Sequence, residues 1–247
     1  METKISIFII SYNEENIISK CLEKLNWADE IVVVDSGSTD KTVVICESFG
    51  AKVIYNKFEN FGKQKQFALN QTKNDWVLSL DADEVLSDDL INEIQNLKLS
   101  SSLNGYFIPR THVFLNKVFR YGSESNKYIL RFFNKNYGKF TDNMVHESLL
   151  IEGKTSKLKH DFLHYSYFSI EQYITKLNKY TTLYAQEKNK KFSGITILVK
   201  TKFEFFKKYF LDRNFLNGKE GFYWAIFSAY YMFTKLVKSN ENYNSSL

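Results

Sequence analysis

Proline occurs once in 247 residues and glycine ten times, which excludes collagen-like, proline-rich and linker-dominated chains. Cysteine occurs twice, as Cys21 and Cys46, too rarely for a disulfide scaffold and in neither a CxxC nor a zinc pattern. Both are expected to be buried thiols in helices. No uncharged apolar run reaches the ~20 residues that a helix needs to cross a bilayer. The longest, Phe222 to Thr234, has 13. The opening apolar run, Ile5 to Ser11, has strand length and no cleavage-site pattern follows it, so no signal peptide is expected and the address is cytoplasmic. A charged fraction of 25% and a hydrophobic fraction of 44% are those of a globular protein, and disorder as the main state is excluded. The length fits one large domain, or one domain with an appendage.

Aromatic residues are abundant: 22 Phe, 16 Tyr and 3 Trp. Charge is unevenly spread, with 16 Lys+Arg against 8 Asp+Glu in residues 151–247 and 17 against 20 before them. A basic, aromatic segment suits an anionic membrane surface or a nucleic acid, or else an aromatic helix core with lysines on its solvated side. Lys200, Lys202, Lys207 and Lys208 interleave with Phe203, Phe205, Phe206, Tyr209 and Phe210 at helical spacing. Nucleic acids are usually bound by stacking platforms on strands, so no nucleic-acid partner is expected.

The first hundred residues alternate strand and helix patterns, the mark of βαβ units and a mostly parallel sheet. Strands are expected at Ile5–Ser11, Glu30–Asp35, Lys52–Tyr55 and Trp76–Leu80. Helices are expected after Asn13 as a cap, over Thr39–Phe49, over Lys63–Gln71, and from Ser87 as a cap to about Leu97. Beyond Asn104 shorter strands, Tyr106–Arg110, Lys127–Phe133, Met144–Ile151 and Lys157–His164, predict a mixed or antiparallel extension. Three helical stretches follow, 169–191, 195–211 and 219–238. The expected division is an α/β domain over 1–165, a basic, aromatic helical region over 166–238, and a flexible tail over 239–247.

Ligands of a parallel sheet bind beyond the carboxyl ends of its strands. Three strands end there in polar clusters: Ser11-Tyr12-Asn13-Glu14, Asp35-Ser36-Gly37-Ser38 and Asp81-Ala82-Asp83. Ser38, Thr39 and Ser87 are expected to be cap or turn residues, whereas an Asp ending a buried strand is costly unless it binds something. Asp81 and Asp83, two apart on an extended chain, would face the same way and share one hard divalent cation, Mg²⁺ or Mn²⁺, with a diphosphate. Arg110 and Arg131 close strand-like segments and are candidates to clamp phosphate.

The runs Ile-Ser-Ile-Phe-Ile-Ile-Ser-Tyr-Asn-Glu-Glu, Ile-Val-Val-Val-Asp-Ser-Gly-Ser-Thr-Asp and Leu-Ser-Leu-Asp-Ala-Asp-Glu resemble the nucleotide-sugar half of the family 2 glycosyltransferases, which have the GT-A fold. Phe61-Gly62-Lys63-Gln64-Lys65, Val145-His146-Glu147, His164-Tyr165-Ser166 and Phe215-Leu216-Asn217-Gly218-Lys219-Glu220-Gly221-Phe222 extend the resemblance to the lipopolysaccharide core glucosyltransferase group, over residues 4–235. The resemblance implies a Rossmann-like sheet with an antiparallel extension, followed by helices. It implies a nucleoside-diphosphate sugar donor, most simply UDP-glucose, and a lipid-linked saccharide acceptor such as a lipopolysaccharide or lipooligosaccharide core. Ser11, Tyr12, Glu14, Asp35, Lys63, Asp81 and Arg131 would border the nucleotide sugar. Asp83, Asp81 and His164 would hold the metal, and Glu147 would be the base that removes the acceptor's proton. The mechanism would be inversion by in-line displacement, on an enzyme held peripherally at the inner face of the cell membrane.

Two rival readings compete with this one. A haloacid-dehalogenase-type phosphatase also uses Asp-x-Asp after a buried strand, but there the motif opens the domain, whereas here two or three βα units precede it. A non-enzymatic membrane adaptor built on the basic C-terminal helices is the other.

Overall fold

The computed structural model describes residues 3–99, 102–142, 148–188 and 190–245. The chain forms two compact units, residues 1–110 with 127–164 and residues 111–126 with 165–247.

In chain order the first unit begins with β1 (Ile5–Ser11), α1 (Ile18–Leu22), β2 (Glu30–Asp35), α2 (Thr42–Ser48), β3 (Lys52–Tyr55), α3 (Phe61–Asn70) and β4 (Trp76–Asp81). Then come β5 (Glu84–Leu86), α4 (Asp88–Gln95) and β6 (Gly105–Phe114), whose last residues belong to the second unit, as does β7 (Lys117–Val118). The chain returns with β8 (Lys127–Asn134), β9 (Gly138–Phe140), β10 (Leu149–Ile151), β11 (Thr155–Lys157) and β12 (Phe162–Tyr167). The sheet order is β3-β2-β1-β4-β8-β6-β12-β5. Strands β3, β2, β1 and β4 are mutually parallel, β8 runs antiparallel to β4 and β6, and β12 runs antiparallel to β5. This is the α/β sheet with an antiparallel extension expected from the sequence.

Strand β1 is buried along its whole length, which is why its sequence is an unbroken apolar run rather than an alternation. Alternate residues on one side of the sheet, Phe8, Val32, Val34 and Val77, pack with Ala68 and Leu69 of α3 and with Phe133 and Phe140. Asn60 caps α3 by accepting from the Lys63 N–H, and Ser87 caps α4 by accepting from Leu90. Gly62 is required by a close approach: a Cβ there would lie 2.0 Å from the Thr141 carbonyl oxygen. Both thiols are buried in helices, and burial pushes Cys21 well up and Cys46 to about 12, so they stay protonated.

Several expectations shift. Asn13 does not cap α1, which starts only at Ile18; Asn13 sits at φ 54° and its side chain accepts from Thr39 N–H instead. The expected strand Lys157–His164 is two strands, β11 and β12. Of the expected strand Met144–Ile151 only Leu149–Ile151 is a strand, and residues 143–147 lie outside the described residues.

In the second unit the end of β6 pairs with β7, and the chain continues through α5 (Ile170–Lys188), α6 (Gly194–Phe206), a π-helical turn (Lys207–Leu211), a 3-10 turn (Asn214–Asn217) and α7 (Lys219–Ser245). Its core joins Phe114, Phe119, Tyr173, Leu177 and Trp224, so part of the aromatic excess is packing. Asn217 ties this unit's loop to its helices, accepting from the N–H groups of Arg120 and Tyr121 and donating to Tyr121 O. Residues 239–245, expected as a flexible tail, continue α7, and buried Ser239 donates to Lys190 O. Among the described residues no helix is long and apolar enough to cross a membrane.

Candidate active site

Parallel register sets the carboxyl ends of β1, β2 and β4 side by side, with Ser11 opposite Asp35 and Ile10 opposite Asp81. The loops leaving β1 and β2 are laced together by backbone-to-side-chain bonds. Asn13 N–H donates to Ser38 Oγ, Glu14 N–H to Thr42 Oγ1, Glu15 N–H to Asp40 Oδ2, and Lys41 N–H to Glu15 Oε2.

Asp35 is the organiser of its own turn. Its Oδ1 accepts from Gly37 and Ser38 N–H, and its Oδ2 from the Ser11 and Ser38 hydroxyls. It is 3% exposed. Four donors within the protein repay the cost of a carboxylate at this strand end, where Asp35 was expected to border the nucleotide sugar. Ser11 is likewise buried and spent on Asp35. Tyr12, by contrast, is 58% exposed at the end of β1. The Glu14 side chain is only partly exposed in the same loop.

Asp81 and Asp83 part company. Ala82 and Asp83 form a turn between β4 and β5, so the period-two geometry of an extended chain does not apply. Asp81 turns to cations: Arg131 Nη2 donates to its Oδ2 at 2.7 Å and Lys65 Nζ is 3.1 Å from its Oδ1. The same Arg131 Nη2 donates to Glu84 Oε1 at 2.6 Å, while Glu84 Oε2 accepts from Asp81 N–H. Burial opposes the charge on Asp81, but the Arg131 guanidinium and the Lys65 ammonium outweigh it and hold the carboxyl well below its usual range. Glu84, fully buried, goes the other way: burial raises it beyond what Arg131 can offset. Burial disfavours the charge on Arg131, yet the two carboxylates raise its affinity for its proton.

Arg131, expected to clamp phosphate, is instead a buried post between two carboxylates. Lys63, expected near the nucleotide, is an exposed residue of α3 paired with Glu59 at 2.6 Å. Lys65, two residues on, is the lysine of that motif that reaches the β4 end. The α3 face that meets the sheet is set by where Gly62 and Ala68 pack, which turns Lys65 to the β4 end and leaves Lys63 outside.

Asp83 faces β12, where His164 Nε2 lies 3.3 Å from its Oδ2. Burial lowers the affinity of His164 for its proton, and the neighbouring Asp83 carboxylate more than restores it, so the net shift is upward. Arg110 is close enough for its charge to oppose protonation of His164, and its buried Nε has no hydrogen-bond partner. Among the described residues no three His, Cys, Asp or Glu side chains converge as a metal-binding group; of the expected Asp83, Asp81 and His164, Asp83 and His164 stand together. A pair fits Mg²⁺ or Mn²⁺, which commonly take one or two protein ligands and fill the remainder with water and substrate phosphates. The 3.3 Å between the two donor atoms is close to that of adjacent ligands on one octahedral ion of ~2.1 Å bond length. Glu147, expected as the base, lies outside the described residues; Thr141 and Ser148, on either side of residues 142–147, bond to each other twice at 2.9 Å.

Comparison with known proteins identifies the family. Residues 6–160 match the family described as glycosyl transferase family 2. An uncharacterized glycosyltransferase of Rickettsia bellii is 36% identical, over 96% of this chain and 86% of its own. The lipopolysaccharide core biosynthesis glycosyltransferase LpsC of Rhizobium meliloti is 30% identical, over 95% and 91%. Among solved structures, glucosyl-3-phosphoglycerate synthase from Mycobacterium tuberculosis in complex with Mn²⁺ and UDP aligns over 44% of each chain at 22% identity and a TM-score of 0.38. The phosphatase and adaptor alternatives fall away, and the chain belongs to glycosyl transferase family 2, as a glycosyltransferase with the α/β GT-A fold.

Proposed function

We propose that this enzyme moves a hexose, glucose from UDP-glucose, with inversion to a hydroxyl of a lipopolysaccharide or lipooligosaccharide core or a related lipid-linked glycan. The observation that carries the donor half is the Asp83–His164 pair at the carboxyl edge of the sheet, the one carboxylate of the Asp-x-Asp motif not committed to Arg131 and Lys65. The acceptor half is supported by likeness to LpsC along almost the whole chain.

Asp83 and His164 would hold Mg²⁺ or Mn²⁺, which when bound neutralises charge developing on the departing diphosphate. Arg110, with its buried unpartnered Nε beside His164, takes the phosphate-clamping role first given to Arg131. Tyr12, exposed at the end of β1, offers a ring face to the base, with Glu14 beside it. Lys63 borders the donor from the start of α3. Glu147 removes the proton of the acceptor hydroxyl as that oxygen attacks the anomeric carbon opposite the leaving group, and in-line positioning supplies most of the remaining acceleration. The enzyme works in the cytoplasm, peripherally bound at an anionic membrane surface that presents the acceptor.

The test is calorimetric binding of UDP, GDP, ADP and CDP with and without Mn²⁺. UDP is expected to bind in a Mn²⁺-dependent manner that Asp83→Ala and His164→Ala both abolish. Binding of another nucleotide would reassign the donor, and Mn²⁺-dependent binding that survives Asp83→Ala would refute the metal site.

A further inference from the structure

Helix α6 is inside out by the rules of a globular surface. Seven of its thirteen residues are Ile, Leu, Val or Phe, and none of the thirteen is buried. At 100° per residue, Ile195, Leu198, Val199, Phe203 and Phe206 fall on one stripe. They are the exposed ones, Ile195 by 77% and Phe203 by 56%. The half-buried Ile197, Thr201 and Glu204 lie on the other side, and Phe205, flanking the stripe beside Leu198, meets Phe222 of α7 with ring centroids 6.1 Å apart. The apolar stripe is thus a second face, in addition to the one used for folding.

The charges decide what covers it. Lys202 lies within the stripe, Lys200 and Lys207 along one border, and the helix's single acid, Glu204, on the inward side. A second copy meeting this face about a two-fold axis would set Lys202 against its own mate in a desolvated centre, where lysine is disfavoured. Lipid headgroups impose no such cost. Their phosphates accept lysine ammonium groups while the apolar stems and rings stay below, which is how interfacial helices bind.

We infer that α6 lies flat in the headgroup region of an anionic membrane, with Leu198, Phe203 and Phe206 among the acyl chains and Lys200, Lys202 and Lys207 at the phosphates. This assigns to α6 the anionic-membrane binding of the proposed function, and it rests on that reading.

The experiment uses the full chain with phosphatidylcholine vesicles containing 0% or 30% phosphatidylglycerol at low salt. Binding is expected only with phosphatidylglycerol. Each lysine contributes about fivefold, so Lys200→Gln/Lys202→Gln/Lys207→Gln should weaken binding roughly a hundredfold, and Leu198→Glu/Phe203→Glu should abolish it. In Phe203→Trp the added fluorescence should be quenched by lipids brominated on their acyl chains. All these positions are solvent-facing, and circular dichroism with UDP calorimetry on the same samples checks the fold and the donor site. Absence of wild-type binding, retention of it in Leu198→Glu/Phe203→Glu, or no quenching in Phe203→Trp would overturn the inference. So would a dimer in sedimentation that the double variant dissociates with no vesicle binding at all. Intact Mn²⁺–UDP binding beside failed vesicle binding sinks only the α6 inference; the reverse pattern sinks only the donor assignment.

Discussion

Arg131→Met tests the buried charge cluster beneath the site. The guanidinium serves two carboxylates through one nitrogen, Asp81 at 2.7 Å and Glu84 at 2.6 Å. Asp81 keeps Lys65 at 3.1 Å and a partly exposed side chain, so it is not abandoned. Glu84 has no other cation in hydrogen-bond reach among the described residues, and its side chain is 1% exposed. Removing one partner of a buried pair costs about 3–5 kcal/mol. A proton can cap that cost: holding Glu84 neutral at pH 7 against an unfolded value near 4.3 costs about 3.7 kcal/mol, at ~1.36 kcal/mol per pH unit.

The pH dependence has a definite sign. A carboxyl whose folded value is raised, as Glu84's is, stabilises fully below its unfolded value and loses that contribution as pH rises through the folded value. Without Arg131 the folded value rises further, so the variant goes on losing stability over a pH range in which the wild type has levelled off. Asp81 is shifted down, so its contribution is lost only as pH falls below the ordinary carboxylate range and stays level from pH 5 to 8. Urea unfolding followed by fluorescence, in which Trp27 and Trp76 report the first unit, should show a deficit of about 3–4 kcal/mol at pH 8 that shrinks toward pH 5. Glu84→Gln/Arg131→Met should recover about 2 kcal/mol of it at pH 8, since the amide carries no charge to strand. A deficit below about 1 kcal/mol, or one flat between pH 5 and 8, would refute the reasoning.

Two further perturbations probe the catalytic edge. Glu147→Gln should lower turnover by about 10²–10⁴-fold and leave Mn²⁺–UDP affinity unchanged in calorimetry; parallel loss of both would mean that Glu147 shapes the donor site. Gly62→Ala sets a Cβ 2.0 Å from the Thr141 carbonyl oxygen, and because backbone cannot swing aside as a side chain can, the cost should exceed the usual ~1–3 kcal/mol of overpacking. Wild-type urea stability for Gly62→Ala would show that α3 and Thr141 separate freely.

The sheet was legible because its strands are buried on both sides, and continuous apolar runs such as Ile5–Ser11 and Glu30–Asp35 have few alternative readings. What was not legible was partner choice at the sheet's carboxyl edge. Asp35 looked like a ligand-seeking carboxylate because its four donors come from Ser11 on another strand and from a turn whose conformation, with Gly37 at φ 95°, is not encoded in spacing. Lys63 and Lys65 differ by two positions on a helix, about 200°, so the choice between them depends on helix phase. That phase is fixed by Gly62 meeting Thr141, a contact across 79 residues of sequence.

Separation of the two motif carboxylates has a chemical logic that spacing alone hides. Lys65 and Arg131 on one side, Asp81 and Glu84 on the other, form a set whose formal charges cancel, buried except for the partly exposed Asp81. It links β4 to β8, its antiparallel neighbour. Asp83, displaced from it by the turn at Ala82, meets His164 Nε2 at 3.3 Å instead. The turn between β4 and β5 is therefore what separates the two motif carboxylates, leaving Asp81 with Arg131 and Lys65 and Asp83 with His164.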